Sequence, residues 1–413
     1  MHDKMLAFHF DLKHAMWSEA YMERLAETLA AWGYNAIVYE VEDKFRHPRH
    51  PAVAHEDALS PEETSRRMEM LRRHGFGIIP LTQSLGHAEY VLSNPGYAHL
   101  RESPELGSQY DPLSDESRAM VCELIDDLIE AVKPEEYYHI GGDETWNLGK
   151  SEKCRAIVEK NGVGGLYLGH MLPIIRHVIK RGLRPVLWAD IALTHPEIID
   201  SLPRELVLMD WDYWTDAERY PALWVWGRGR LGWPEYQASV REGKIKPEFI
   251  KLLEKYAVDD QTAKDGSFIG FPYTNALRDM GFDVIVAPAT RCFGDSCGIP
   301  LNTVHLGNCF AGAAKGRASG LGSCITSWAV RRSHPEVNLP GAFAASAGHA
   351  GSGKFDFDQV AAAFGETHYG LSMPGFPQAL KSAGAVVPWC EANDIPAPGK
   401  EMEAISNLLK KTE

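Results

Sequence analysis

The chain has 413 residues, of which 45% are hydrophobic and 24% are charged, and this is the composition of a soluble globular protein. Its length suits one large α/β barrel with insertions or two ordinary domains. The formal net charge of -14, with no basic cluster, argues against nucleic acid or an anionic membrane as a partner.

Short apolar segments, most of them followed by a segment with helical spacing, run through the chain. The predicted strands are 5–12, 35–41, 76–81, 136–140, 184–188, 206–209, 283–287 and 321–325. Helices are predicted at 18–32, 60–74, 114–132 and 165–181, and Ser60, Pro61 and Glu63 open the second of them in capping-box order. Alternating strands and helices indicate parallel pairing, and eight such units close into a (β/α)8 TIM barrel. A doubly wound open sheet is the alternative, although no Gly-x-Gly-x-x-Gly follows the first strand.

The domain boundaries follow from the same pattern. We expect residues 1–335 to form the barrel as a single domain, with a long loop insertion at 215–271 after strand six. Residues 336–413 are expected to supply the last barrel helix and a C-terminal helical extension. The insertion carries Trp224, Trp226 and Trp233 among glycines and prolines, with a helix near 247–256. These tryptophans could shape a binding subsite, and a scaffold or a homodimer contact is an equal alternative.

The cysteines and the first residues predict the compartment. Seven scattered cysteines with no Cys-x-x-Cys pair indicate reduced thiols rather than a disulfide framework. The first residues lead straight into a strand, without a leader that has a small-residue cleavage site. No apolar run approaches the roughly 18 residues that span a bilayer. We therefore expect a cytoplasmic enzyme.

Polar and aromatic residues follow most of the predicted strands. In a (β/α)8 barrel the carboxyl ends of the strands meet on one face, where such enzymes carry their sites. Aromatic rings stack on the C–H faces of sugars and carboxylates bind their hydroxyls, so the set predicts a sugar pocket. Each tryptophan taken alone fits a place in the core better. The set comprises Glu42, Asp43, His87, Asp143, Glu144, Trp188, Asp190, Trp211, Asp212, Tyr213 and Trp328.

The segment 137–146, which reads Tyr-Tyr-His-Ile-Gly-Gly-Asp-Glu-Thr-Trp, is the most informative. Two glycines allow a sharp turn where strand four ends, and they deliver Asp143 and Glu144 side by side. Such a pair can hold different protonation states and divide acid and charge-stabilising roles. An acidic helix start is the alternative interpretation. No Gly-x-Ser-x-Gly elbow supports a serine hydrolase, and no metal-ligand spacing occurs, so we expect no metal. No other cofactor is expected either.

The stretch from His139 to Glu144 resembles the His-x-Gly-Gly-Asp-Glu signature of glycoside hydrolase family 20, the β-N-acetylhexosaminidases. Its compact hexosaminidase D branch is the most similar. The resemblance continues in order through 10–13, 39–43, 80–87, 98–102, 187–190 and 326–328, and it is weakest at 215–271. It implies a retaining exo-enzyme that removes a terminal β-linked GalNAc or GlcNAc from a small-molecule or oligosaccharide glycoside.

The resemblance also implies roles for individual residues. Glu144 would be the general acid/base, and Asp143 would orient the substrate's own 2-acetamido group, which attacks the anomeric carbon and forms an oxazolinium ion. His87 would contact the acid/base, with Glu42 or Asp43 behind it. The remaining implied contacts are Trp188, Trp211 and Trp328 around the acetamide methyl, Tyr213 on its oxygen, and Asp190 and Asp212 on sugar hydroxyls.

Two departures from the family pattern concern the outer hydroxyls of the sugar. The place of a family arginine after the first strand falls at His14, beside Lys13, and 329–332 lack a glutamate that often follows the last barrel tryptophan. The choice between GalNAc and GlcNAc therefore stays open. Two other functions also stay open, a β-glycosidase with a protein nucleophile and a non-catalytic sugar-binding barrel.

Overall fold

The computed structural model describes residues 4–13, 15–292, 295, 299–329, 334–370, 372 and 374–385. Eight parallel strands close a barrel, because each pairs with the next and the last pairs back to the first. The (β/α)8 barrel is confirmed, and every predicted strand overlaps an observed one. In barrel order the strands are β1 (Met5–Asp11), β2 (Ala36–Glu40), β3 (Gly77–Leu81), β4 (Tyr137–His139), β5 (Arg184–Trp188), β6 (Val207–Trp211), β7 (Asp283–Ala287) and β8 (Gly322–Ser327).

Helices surround the barrel. The capping box predicted at Ser60 and Glu63 is present at the start of the second helix, and Ser18 and Ser114 cap the first and third. Besides the short helices Glu89–Leu92 and Asp190–Thr194, the helices outside the insertion are α1 (Glu19–Ala31), α2 (Pro61–Arg73), α3 (Asp115–Val132), α4 (Glu152–Lys180), α5 (Pro272–Asp279), α6 (Asn302–Ser319), α7 (Leu339–Ala350), α8 (Phe357–Tyr369) and α9 (Phe376–Ala385). Within the described ranges, no helix has the length and apolarity needed to cross a membrane.

The insertion is more regular than its sequence suggests. Arg219–Tyr220 pairs with Phe268–Ile269, and Ala222–Val225 forms a hairpin with Gly229–Gly232. Three helices complete it, namely Trp233–Arg241, Pro247–Tyr256 and Asp260–Asp265. Pairs of two to four residues are too short to give a clear alternation of apolar and polar residues, so the sequence predicts only the middle helix.

Side chains on the barrel strands alternate between two environments. Along β1, Phe8 and Phe10 pack outward among the helices, whereas Ala7 belongs to the small apolar cluster inside the barrel. On the same inward side as Ala7, later positions are buried but polar, at His9 and Asp11. The interior therefore changes from apolar to charged toward the carboxyl ends of the strands, where the candidate site lies.

Candidate active site

A sharp turn after β4 carries the two adjacent acids. Gly141 and Gly142 have φ angles of 60° and 88°, in the left-handed region. A Cβ at Gly141 would collide with the side chain of Gln83, and one at Gly142 would lie 2.7 Å from Leu187 Cδ1. The hydroxyl of Tyr167 donates to the Gly142 carbonyl at 2.8 Å and fixes the turn. Only glycines fit these two positions, which explains the Gly-Gly before the acids.

The two carboxylates point to different environments. Asp143 is buried at 7% exposure, and its Oδ1 has no hydrogen-bond partner among the described residues. The side chain of Glu144 is 42% exposed. One acid therefore faces the interior of the pocket and the other its opening.

His87 bridges the two acids. Its Nε2 lies 3.4 Å from Asp143 Oδ2 and 3.3 Å from Glu144 Oε2. Burial opposes its charging, but the charge and hydrogen bond of Asp143 and those of Glu144 together raise the pKa of His87 to about 11. His87 is thus an imidazolium at neutral pH. Neither Glu42 nor Asp43, the acids expected behind His87, pairs with it among the described residues. Glu42 pairs with Lys13 at 3.5 Å and Asp43 with Lys44 at 3.0 Å, and both acids lie in a short turn after β2.

Asp190 is hydrogen-bonded to the backbone of the acid pair. It is fully buried, and its Oδ2 accepts the backbone N–H of Glu144 at 2.9 Å. Burial, followed by the charge of Asp143, holds the pKa of Asp190 well above its usual range. This carboxyl therefore fixes the backbone of Glu144, while its second oxygen stays without a partner in the described part of the chain.

Four aromatic residues form one side of the pocket. The indole N–H of Trp328 donates to the Tyr213 hydroxyl at 2.9 Å, and Trp211 stacks on Tyr213 at 4.9 Å between ring centroids. Trp188 lies 5.6 Å from Trp328 and is almost wholly buried. Burial and then the charges of Glu144 and Asp143 keep the pKa of Tyr213 well above its usual range. The predicted aromatic wall thus lies close enough to Asp143 and Glu144 for their charges to act on the Tyr213 hydroxyl.

Asp212 is placed beside this wall, but its carboxylate is already occupied. Oδ1 accepts the backbone N–H groups of Trp214 and Thr215 at 2.9 and 3.0 Å, and Oδ2 accepts the Thr215 hydroxyl at 2.6 Å. These bonds close the turn after β6. Asp212 therefore shapes the loop that presents Tyr213 and is not free for a sugar hydroxyl in this conformation.

A charged cluster lies at the ends of β1 and β2, and Glu42 is its only member in the sequence-based set. The ammonium of Lys13 lies 2.8 Å from Glu40, 3.3 Å from Asp11 and 3.5 Å from Glu42, and 5.2 Å from the centre of the Trp328 ring. Burial is the largest of the causes that raise the pKa of Glu42 to about 8. The sequence signal for this cluster is a set of ionisable residues at alternate positions, 9 and 11 in β1, 40 at the end of β2 and 42 just after it. His14 and residues 330–332, which the sequence also singles out, lie outside the described residues.

Two groups of side chains in the described ranges come close enough to be considered as metal ligands. They are the group of His87, Asp143 and Glu144, and a buried group of Cys292, Asp295 and His305 behind Tyr213. Asp295 is the main partner that overcomes burial and raises the pKa of His305 to about 10, across 3.1 Å. In each group the histidine lies at ion-pair distance from a carboxylate.

Comparison with known proteins finds similarity to one enzyme family. The model of the glycosyl hydrolase family 20 catalytic domain matches residues 91–223. Hexosaminidase D of Bos taurus is 32% identical over 222 residues, which cover 52% of this chain and 64% of that protein. Residues 91–223 of the chain are thus similar to the catalytic domain of glycosyl hydrolase family 20. Its human relative, also named hexosaminidase D, is 30% identical over 254 residues, 59% of this chain and 52% of that protein. The matched segments thus span less than two thirds of either relative.

Solved structures of β-N-acetylhexosaminidases share the fold. The β-N-acetylhexosaminidase from Bacteroides fragilis superposes with a TM-score of 0.60 at 15% identity, over 89% of this chain and 70% of that one. The matched range 91–223 holds the acid pair and the site residues after β5 and β6, whereas His87 and Trp328 lie outside it. The resemblance drawn from the His-x-Gly-Gly-Asp-Glu motif is confirmed.

Proposed function

We propose that this chain is a retaining exo-β-N-acetylhexosaminidase that uses the acetamido group of its substrate as the nucleophile. One observation carries the proposal. A buried carboxylate with an unpaired oxygen and an exposed carboxylate share one imidazolium, opposite an aromatic wall with a phenol hydroxyl. Such a pocket suits a group that is apolar at one end and an amide at the other.

The spacing of the acids supports retention. The ligand atoms of His87, Asp143 and Glu144 all lie within 4.8 Å of one another. Inverting glycosidases hold their two carboxyl groups roughly 6.5–9.5 Å apart to admit a water, and the nearest oxygens of this pair are closer together than that. A protein nucleophile at Asp143 would also retain configuration, and it is the alternative that the experiment must separate.

The hydrogen bonds of Tyr213 explain how the amide would be held. Because the Trp328 indole N–H donates to the Tyr213 oxygen, the phenolic hydrogen is left to donate to a ligand. An acetamide carbonyl can accept it, while the amide N–H donates to the free Oδ1 of Asp143. The carbonyl oxygen would then be held beneath the anomeric carbon at a high effective concentration.

The reaction follows from these contacts. Glu144, in its protonated form, gives its proton to the glycosidic oxygen as the C1–O bond breaks and the acetamide oxygen bonds to C1. Asp143 stabilises the positive charge of the oxazolinium that results. Glu144 then takes a proton from water, whose oxygen attacks C1 and releases the acetamide. Two displacements at C1 leave its configuration unchanged.

The test compares nitrophenyl β-GlcNAc and β-GalNAc with the matching β-glucoside and β-galactoside, which lack the acetamido group. We expect hydrolysis only of the amino sugars. With a poor leaving group, the rate of Glu144→Gln should be lower than that of the wild type by a factor of about 10²–10⁴, because general acid catalysis contributes a factor of that size. Glu136→Gln makes the same chemical change at the exposed start of β4 and serves as the control.

Three other results would contradict the proposal in different ways. Equal cleavage of the sugars without an acetamido group, with a trapped glycosyl-enzyme, would establish a protein nucleophile instead. A chain that binds amino sugars but turns none over would be the non-catalytic barrel. Full activity of Glu144→Gln would remove the assigned acid.

A further inference from the structure

Trp146 stands next to the candidate acid with its ring in solvent. It is 48% exposed, and it is the only tryptophan among the exposed large hydrophobic side chains of the described residues. Burial alternates along the segment, since Asp143 and Thr145 are buried whereas Glu144 and Trp146 are exposed. Glu144 and Trp146 are therefore both presented to solvent, two residues apart in the chain.

The backbone around Trp146 is fixed. Its N–H donates to the Glu144 carbonyl at 2.8 Å, and Leu148, which is buried in the core, donates to the Thr145 carbonyl at 3.0 Å. Further along, Glu102 accepts the N–H groups of Gly149 and Ser151 at 3.1 and 3.2 Å. A segment held at both ends keeps the indole at a set position relative to the acid.

Each tryptophan of the insertion packs against another aromatic ring. Trp224 stacks flat on Trp214 at 5.2 Å, and Trp226 is 6% exposed with its edge contact to Trp211 at 4.7 Å. Trp233 stacks on Tyr236. No described aromatic ring stacks on Trp146 in the same way. A ligand ring arriving beside Glu144 thus finds its free indole face at Trp146.

We propose that Trp146 is the platform on which the sugar ring that carries the leaving oxygen stacks, and this rests on the function proposed above. If Glu144 protonates the glycosidic oxygen, the departing ring must lie on the exposed side of that carboxylate. The C–H face of a neutral pyranose packs on an indole, and an aromatic contact of this kind contributes modestly but selectively to binding. The occupant is a second sugar, so the preferred substrate is a disaccharide or longer chain.

The experiment uses the full chain with two substrates that differ only in what leaves. One is the β-glycosyl fluoride of the N-acetylhexosamine that the enzyme accepts, which places no ring at Trp146, and the other is the β-linked disaccharide of that sugar. Trp146→Ala should lower the ratio of kcat/KM for the disaccharide to that for the fluoride about tenfold, through a higher KM for the disaccharide. Trp146→Phe should restore most of the ratio.

The control is Tyr369→Ala, an aromatic residue in α8 with the same 48% exposure, and it should leave the ratio unchanged. A ratio that stays at the wild-type value in Trp146→Ala would overturn the platform while leaving the proposed function intact. A wild-type chain that cleaves neither substrate would overturn both. A Trp146→Ala loss that is equal for the two substrates would show a general role in holding Glu144 and would also reject the platform.

Discussion

Three residues near the site hold backbone conformations that their side chains disfavour. Glu42, His87 and Glu144 have φ angles of 44°, 53° and 51°, and they follow three neighbouring strands, β2, β3 and β4. A non-glycine residue in this region costs about 1–3 kcal/mol and persists only where the surroundings enforce it. Two of the three are the candidate acid and its imidazolium partner. The strain therefore marks the carboxyl ends of these strands as the functional edge of the barrel.

The bridging imidazolium leads to a prediction for His87→Gln. Its positive charge is kept by a pKa of about 11 and offsets two carboxylates within 4.8 Å. Without it the carboxylates repel and hold a proton up to a higher pH. For the variant, we expect the acidic limb of the plot of kcat/KM against pH to move to higher pH. We also expect the maximum rate to fall by a factor of about ten or more. Rates measured from pH 4 to pH 8 test this.

An exposed histidine supplies the control for that profile. His99 pairs with Glu116 at 3.0 Å on the surface, with both side chains more than half exposed. His99→Gln should reproduce the wild-type profile. If His87→Gln gives the wild-type profile as well, the imidazolium does not set the ionisation of the acid pair.

The strands and helices differ in how well they can be predicted from the sequence. The strands and the capped helices α1 to α3 were predictable, because strong apolar periodicity and serine caps act locally. Helix α6 was not, since its glycines break the pattern: a Cβ at Gly312 would lie 2.7 Å from Pro288, so close packing on the barrel requires them. In the same way, Lys13 meets Glu40 only after the barrel closes, and residue type alone does not show that contact.

Two glycines of helix α4 allow a test of why the helix is interrupted. Gly162 has a φ of 72° and a ψ of 171° inside the helix, whereas Gly169 is in the regular part. At both positions an added Cβ would meet no described atom within 4 Å, so neither substitution causes a clash. Gly162→Ala should destabilise by about 1–3 kcal/mol because only glycine adopts this backbone easily. Gly169→Ala should stabilise by about 0.5–1 kcal/mol. Urea unfolding midpoints that shift in the same direction would contradict this account of the break.

At the scale of the whole molecule, buried ionisable groups make stability depend on pH. Burial opposes charging at His305 as it does at His87, but their acidic neighbours raise the pKa values to about 10 and about 11. Burial also raises the pKa of Glu42 to about 8. In all three cases the folded chain keeps a proton that the unfolded chain releases at lower pH. His139 and His170 act in the opposite sense, because burial lowers their pKa values to about 3 and about 4.

The sign of the pH dependence follows from these shifts. Unfolded histidines lose their protons near pH 6.5, so the stability that His87 and His305 contribute is complete below that pH and declines above it, and Glu42 adds to the decline up to about pH 8. His139 and His170 lower stability only below pH 6.5 and do not oppose the decline above that pH.

We therefore expect Tm to fall steadily from pH 6.5 to pH 8.5, with about two protons released on unfolding by the two charged histidines. The double variant His305→Gln with Asp295→Asn removes one buried ion pair and should flatten the slope by about one proton, whereas His99→Gln should leave it unchanged. A Tm that is constant or rises over this interval would show that the charged histidines do not hold their protons in the folded chain.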